Sequence, residues 1–201
     1  MNKLPLLLLT GALGLTLALA GCGATTDSNP SDPSPSLTAA SADSFNDADE
    51  MFVTMMIPHH QQAVEMADVV LAKDGVDERV TDLAVQIKDA QAPEIELMLG
   101  WLDAWGVEFD PTSTAGHAGM DQDAGDGMMS SEDMAVLEEA TGEDAGAIFL
   151  EQMVVHHEGA VDMAEIALQD AKSPEVQALA QQVIDDQTAE IAVMEELLAQ
   201  L

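Results

Sequence analysis

Residues Met55–Ala67 read MMIPHHQQAVEMA and place two adjacent histidines among methionines and aliphatic side chains. The apolar residues around them recur with helical spacing and form two adjoining stripes. One stripe contains Phe52, Met56, His59, Ala63, Met66 and Val70, and the other contains Val53, Ile57, His60, Val64, Ala67 and Leu71. The stretch therefore predicts a helix with a wide apolar face, and both histidines lie on that face.

The same motif returns as MVVHHEGAVDMA at Met153–Ala164, so four of the five histidines of the chain belong to one repeated motif. The repeat continues into a second segment of each half, where Gln91 and Glu94 correspond to Gln187 and Glu190. These segments also have helical periodicity, and each glutamine lies at the centre of its apolar stripe. Each half is therefore predicted to be a pair of helices.

Short turns are predicted at residues 73–75 (Lys-Asp-Gly) and 173–175 (Ser-Pro-Glu), where Ser173 can cap a helix and Pro174 can occupy its first position. Two helical hairpins joined by one long connection are typical of a four-helix bundle, and the repeat indicates a pseudo-twofold axis between them. We predict an all-α domain at residues 44–201, with hairpin 1 at about 44–105, a Met- and His-rich connection at 106–133 and hairpin 2 at about 134–201.

The N-terminus has the features of an export signal. A lone Lys3 precedes an apolar run, Leu4–Ala20, and the sequence Leu-Ala-Gly-Cys then ends at Cys22. This ending resembles a bacterial lipobox, in which the cysteine becomes the acylated N-terminus. We predict a lipoprotein signal peptide at residues 1–21 and a disordered tether at 22–43, which places the domain outside the cytoplasm on a membrane or cell surface.

Composition restricts the classes of partner and of covalent framework. The formal charge is −33, with 38 acidic residues against 5 basic ones. Binding a polyanion requires a basic surface, so nucleic acid is excluded as a partner. Cys22 is the only cysteine, so a disulfide within the chain is excluded.

Polar side chains on the buried helix faces have two interpretations. In the first, histidine, glutamine and glutamate satisfy one another and set the register of the bundle. In the second, imidazole and thioether groups bind a metal ion, and the amides and carboxylates orient them. The candidate metal ligands are His59, His60, His156, His157, Met56, Met66, Met153 and Met163; the candidate orienting residues are Gln91, Glu94, Gln187 and Glu190.

The connection contains further soft donors. His117, Met120, Met128 and Met129 lie in a Gly-rich stretch, and we predict that they form an auxiliary metal-capture site. Imidazole and thioether ligands together favour copper, particularly Cu(I), over metals that prefer oxygen. The alternative is a linker whose methionines pack on the bundle.

The doubled His-His motif, together with Gln91-Ala-Pro-Glu94-Ile95 and the MMSSEDM stretch at Met128–Met134, resembles a bacterial secreted family that carries the domain-of-unknown-function label three-zero-five. The resemblance covers about Phe45 to Leu201. It implies a ferritin-like helical bundle, and some relatives are associated with periplasmic copper binding. Di-iron bundles use Glu-x-x-His, and no glutamate lies three residues before any histidine of the pairs, which makes a di-metal oxidase the weaker alternative.

The sequence therefore predicts a lipid-anchored, extracytoplasmic protein that binds copper for sequestration or delivery, with no catalytic role required. The alternative from another class is a structural or partner-binding module with a buried His/Gln/Glu network. A di-metal oxidase that also uses Glu94 and Glu190 is the third hypothesis.

Overall fold

The computed structural model describes residues 45–110 and 127–201. Helices account for most of these residues, and no strand occurs in either range. The helices are α1 (Asp47–Leu71), α2 (Glu78–Trp105), α3 (Ser131–Glu139), α4 (Gly142–Asp170) and α5 (Pro174–Leu198). The all-α prediction is confirmed, with four long helices. The short helix α3 is an addition, since its first residues fall in the segment that we assigned to the connection.

The helix ends follow local sequence signals. Asn46 caps α1 with a capping box, and its side chain accepts from the backbone N–H groups of Ala48 and Asp49. Helix α2 stops at Gly106, which has a φ of 73°. Ser173 caps α5 and Pro174 takes the first turn, as predicted.

The long helices form two hairpins, α1–α2 and α4–α5, and α1 packs against α4 between them. The start of α1 is tied to the α4–α5 turn. The Asp49 carboxylate is fully buried and accepts from the backbone N–H groups of Lys172 (3.0 Å) and Ser173 (2.9 Å). Buried backbone donors need such partners, so this contact fixes the second hairpin against the first.

The apolar core consists of two clusters at opposite ends of the bundle. The first cluster joins the N-terminal half of α1 and α5 to the C-terminal half of α2 and α4, and includes Phe52, Met56, Met98, Trp101, Ala164 and Leu179. The second cluster joins the opposite halves, and includes Met66, Val70, Ile87, Phe149, Met153 and Met194. Helices α1 and α4 are therefore antiparallel, as are the two helices of each hairpin.

Helix α3 covers one side of the α1–α4 contact. Leu137 is fully buried and belongs to the second cluster, and Met129 and Met134 pack against that cluster. For these two methionines, the structure agrees with the alternative in which the methionines of the connection pack on the bundle.

Within residues 45–110 and 127–201, none of the helices has the length and apolar character needed to cross a membrane. The signal peptide, Cys22 and the tether lie outside the described residues, so the predicted domain boundaries stay predictions.

Candidate metal centre

A layer of polar side chains crosses the bundle between the two apolar clusters. Each long helix contributes at one level, and all six side chains are at most 3% exposed. The layer consists of His59 and His60 on α1, Gln91 on α2, His156 and His157 on α4, and Gln187 on α5. We call these six residues the histidine layer. The structure thus brings together the histidines and glutamines that the repeat singled out.

The two histidine motifs meet at the α1–α4 contact. The rings of His59 and His156 have their centroids 3.7 Å apart, with an angle of 38° between their planes. These residues correspond in the repeat, so their contact marks the pseudo-twofold axis.

The other histidine of each pair binds a carboxylate of its own hairpin. His60 Nε2 lies 2.8 Å from Glu94 Oε2, and His157 Nε2 lies 2.7 Å from Glu190 Oε2. An ionised carboxylate only accepts hydrogen bonds, so a neutral imidazole here carries its proton on Nε2 and has a lone pair on Nδ1. Both Nδ1 atoms are buried and make no hydrogen bond to any residue that the structure describes. This is the arrangement by which a carboxylate orients a metal-binding histidine.

His156 is held in its neutral form. Its pKa lies well below the ordinary imidazole value because the ring is buried and because His59, His157 and His60 surround it. Within the described parts of the chain, neither of its ring nitrogens bonds to a side chain. Neutral imidazole is the form that binds metal ions, so no proton has to be displaced from this ring.

The glutamines add unpaired polar atoms to the layer. Both side-chain amide atoms of Gln91, and Oε1 of Gln187, are buried with no hydrogen-bond partner in the described ranges. Leaving such a group unpaired costs about 1–3 kcal/mol. Buried polar groups without protein partners are where a water molecule or an ion is expected.

Carboxylates line the outer side of the layer, between α2 and α5. Glu94 uses its second oxygen, Oε1, to accept from Gln182 Nε2 at 3.0 Å. The pKa of Asp186 is raised by partial burial and by the nearby Glu94, Glu190 and Asp185. Sequence reasoning did not assign Gln182 or Asp186 to the site. The available signal was a break in the repeat, since Asp186 corresponds to Ala90.

The predicted methionine ligands do not all lie at the level of the histidine layer. Met56 and Met153 lie one turn before His59 and His156, but in opposite apolar clusters because α1 and α4 are antiparallel. Met66 lies seven residues after His59, which is about 10 Å along the helix axis. Met163 lies equally far from His156 and is only partly buried. The eight predicted ligands are therefore spread over several levels of the bundle.

The end of the connection is attached beside the layer. Gln62 makes two hydrogen bonds to the backbone of Met129: its Nε2 donates to the carbonyl (2.9 Å), and its Oε1 accepts from the N–H group (2.7 Å). Met128 lines a surface pocket next to this contact. His117 and Met120 lie outside the described residues, so the auxiliary site as a whole stays a prediction.

Among the residues that the structure describes, no three His, Cys, Asp or Glu side chains are arranged so that they could hold a metal ion together. Any ion at the layer would therefore use few imidazoles, with thioether or amide groups as its other neighbours.

Comparison with known proteins identifies the family. The family model "Domain of unknown function (DUF305)" matches residues 49–198. None of the curated proteins matches the chain.

Several solved structures share the fold. A DUF305 fragment from Deinococcus radiodurans is 32% identical, with 78% of this chain and 99% of that chain covered and a TM-score of 0.68. A secreted DUF305 protein from Streptomyces coelicolor is 34% identical, with 76% and 91% covered and a TM-score of 0.68. CopM in its Cu(II)-bound form is 30% identical, with 76% and 96% covered and a TM-score of 0.64; CopM has also been crystallised in Cu(I)-bound, Ag-bound and apo forms. The family match spans most of the chain and agrees with these structures, and the chain belongs to the DUF305 family.

Proposed function

We propose that this protein is an extracytoplasmic copper-binding protein, attached to a membrane through acylated Cys22, that sequesters or delivers copper. The observation that carries the proposal is the histidine layer. It contains four buried imidazoles; His60 and His157 are oriented by carboxylates, and their Nδ1 atoms make no hydrogen bond to any described residue. The metal-bound forms of CopM, a relative of the same fold, give independent support.

The donor set of the layer fits copper. His60 and His157 offer Nδ1, oriented by Glu94 and Glu190, and His156 is neutral. Met56 and Met153 add thioether groups one turn away on either side. Imidazole and thioether ligands suit copper, and Cu(I) in particular. Copper is the cargo of the protein, so no chemical step is required of these residues.

The remaining predicted ligands would not bind the ion of the histidine layer. Met66 and Met163 lie too far along their helices to bind the same ion as His59 and His156. His117, Met120, Met128 and Met129 would supply auxiliary capture from the connection. Ordering a segment costs about 1–2 kcal/mol per residue, so an ion bound there would be held more weakly than one in the layer.

A structural network is the second candidate. The bonds of His60 to Glu94 and of His157 to Glu190 favour it, because each satisfies a buried donor without any ion. A di-metal oxidase has less support, because both oxygens of Glu94 are already bonded to protein groups.

The carboxylates that orient the histidines provide the test. We expect the double variant Glu94→Ala, Glu190→Ala to lower Cu(I) affinity about 10–100-fold, since that is the usual effect of removing a group that orients a metal ligand. Glu94→Gln, Glu190→Gln should recover part of the loss, because the amide oxygen still accepts from Nε2–H. The measurement is a competitive Cu(I) titration under reducing conditions.

The matched control removes two exposed acids from the same helices, with Glu96→Ala and Glu195→Ala. It makes the same change in net charge and should leave Cu(I) affinity unchanged. A wild type that binds no Cu(I), combined with Ala variants destabilised by about 1–3 kcal/mol per lost hydrogen bond, would establish the structural network instead.

The anchor requires its own test, because Cys22 lies outside the described residues. Acylation of Cys22 is the proposed attachment, so Cys22→Ser should move the protein out of the membrane fraction or leave an unprocessed precursor. Membrane fractionation with mass spectrometry of the N-terminus measures both. A processed Cys22→Ser protein that still sediments with the membrane would rule the lipid anchor out.

A further inference from the structure

A second group of thioethers lines a surface pocket between α1 and α4. Met51 and Met55 come from successive turns of α1, and Met163 comes from α4. The rest of the lining is apolar: Phe52, Ile166 and two alanines. The pocket volume of about 80 Å³ is enough for an ion or a few water molecules.

These methionines can be reached from solvent. Met51 is 46% exposed, and Met55 and Met163 are partly buried. By contrast, Met56, Met66 and Met153 are 0% exposed. An ion could therefore reach the pocket sulfur atoms without any opening of the bundle.

The pocket is separate from the histidine layer. Met55 lies four residues before His59, about 6 Å along the helix, and Met163 lies six residues after His157, about 9 Å along its helix. An ion held by the three thioethers would thus be a different ion from one held in the layer.

The repeat shows that the fold does not require methionine at these positions. The repeat pairs Met51 with Ile148, Met55 with Gln152 and Met163 with Met66. In the other half, helix α3 covers the corresponding face, and Gln152 Nε2 donates to the carbonyl of Asp133 at 2.8 Å. The same helix face is thus buried under α3 on one side of the bundle, and open and rich in methionine on the other.

Thioether donors select a soft, monovalent ion. Sulfur ligands favour Cu(I), whereas harder cations prefer oxygen. Three neutral thioether ligands leave the positive charge of the ion uncompensated. Acidic residues lie next to the pocket methionines in the sequence: Glu50 precedes Met51, and the exposed Asp162 precedes Met163. Attraction by these carboxylates would raise the local concentration of cations.

We propose that Met51, Met55 and Met163 form a thioether site for a soft monovalent metal ion of the Cu(I) class, distinct from the histidine layer. The identity of the ion rests on the proposed copper function, but the site uses none of the residues of the layer.

The test uses Ag(I) as a soft probe that does not change oxidation state. In the full chain with 13C-labelled methionine methyl groups, the resonances of Met51, Met55 and Met163 should shift together on addition of Ag(I). The triple variant Met51→Leu, Met55→Leu, Met163→Leu should bind one Ag(I) fewer than the wild type. It should keep the same thermal unfolding without metal, since Leu conserves the volume of Met.

Two controls separate this site from the layer. Met194→Leu changes a fully buried methionine of the second cluster that belongs to neither site, and this variant should bind as many Ag(I) ions as the wild type. Glu94→Ala, Glu190→Ala should weaken the layer and leave the shifts of the three methionines intact. The thioether site and the layer can therefore fail independently.

Equal Ag(I) stoichiometry and affinity in the wild type and the triple variant would overturn the proposal. So would methionine resonances that respond to protein concentration and not to Ag(I), because the pocket would then be a contact between copies of the chain. Should the triple variant fail to fold, Met51→Leu alone decides. The Met51 side chain is about half exposed, so its replacement should not disturb folding. We expect Met51→Leu to weaken Ag(I) affinity at least about tenfold, since losing a group that merely orients a ligand already lowers metal affinity about 10–100-fold. An unchanged affinity would overturn the proposal.

Discussion

At the scale of single residues, two adjacent histidines have different surroundings. Neighbouring residues of a helix point about 100° apart. His60 and His157 therefore reach the carboxylate on their own hairpin partner, whereas His59 and His156 meet the opposite hairpin. In each His-His pair, the second histidine therefore stabilises its own hairpin and the first histidine contacts the other hairpin.

The buried, neutral state of His156 makes the stability of the metal-free protein depend on pH. Its pKa is lowered on folding, so below about pH 6.5 the unfolded chain binds a proton that the folded protein does not. Stability should therefore be independent of this group above pH 6.5. From there to about pH 5 the free energy of unfolding should fall by up to about 1.4 kcal/mol per pH unit. Urea unfolding at a series of pH values measures the slope.

The variant His156→Gln removes this titration and should flatten the slope. Val155→Ala, at the neighbouring and half-exposed position, has no titratable group and should keep the wild-type slope. If His156→Gln and the wild type have the same slope, then His156 is not the group responsible.

At the scale of elements, the segment from Gly127 to α3 is attached by close backbone packing. Gly127 has a φ of 74°, and a Cβ at this position would lie 2.5 Å from the carbonyl oxygen of Val155. The two hydrogen bonds of Gln62 to Met129 hold the next residues in place. Glycine is thus required where this segment crosses α4, beside the histidine layer.

We expect Gly127→Ala to loosen the attachment of α3. A side chain at positive φ costs about 1–2 kcal/mol, and the contact with Val155 forces a further displacement. Hydrogen exchange should therefore become faster in α3 (Ser131–Glu139), while the middle of α1 and α2 keeps its protection. Unchanged exchange in α3 would show that Gly127 does not hold the segment.

A matched glycine serves as the control. Gly100 lies inside α2, and a Cβ there would meet nothing within 4 Å. Gly100→Ala should raise the free energy of unfolding by about 0.5–1 kcal/mol, because alanine favours helix in the absence of a clash.

At the scale of the whole molecule, the net charge of −33 opposes compaction. Few cations are present to neutralise the acidic surface, and the chain has 5 lysine and arginine residues in all. Dissolved salt therefore has to supply part of the screening.

The melting temperature of the metal-free protein should rise with ionic strength. The screening length falls from about 30 Å at 0.01 M salt to about 8 Å at 0.15 M, which weakens the repulsion between carboxylates. A gain of about 1 kcal/mol would raise the melting temperature by about 2–4 °C in a chain of this size. Calorimetry in NaCl, with sucrose at equal osmolality as control, measures this, and a constant or falling melting temperature in NaCl would contradict it.

The sequence by itself determined the four long helices, the cap at Ser173, the repeat, and the buried helix faces on which His59, Gln91, His156 and Gln187 lie. Hydrophobic periodicity identifies the buried face of a helix, and counting residues from a turn sets the height of each side chain, so both are local properties. The resemblance to the family also rests on the sequence alone, because the doubled His-His motif carries it.

Only the tertiary structure decided which neighbours these residues have. The bond of His60 to Glu94, the contact of His59 with His156, and the division of Met56 and Met153 between two clusters all depend on how the hairpins pack. The same holds for the docking of α3 and for the pocket that joins Met51 and Met55 to Met163. The physical reason is that periodicity defines a face and a height on one helix, whereas the rotation and offset between two helices are set by the complementarity of their side chains across the contact.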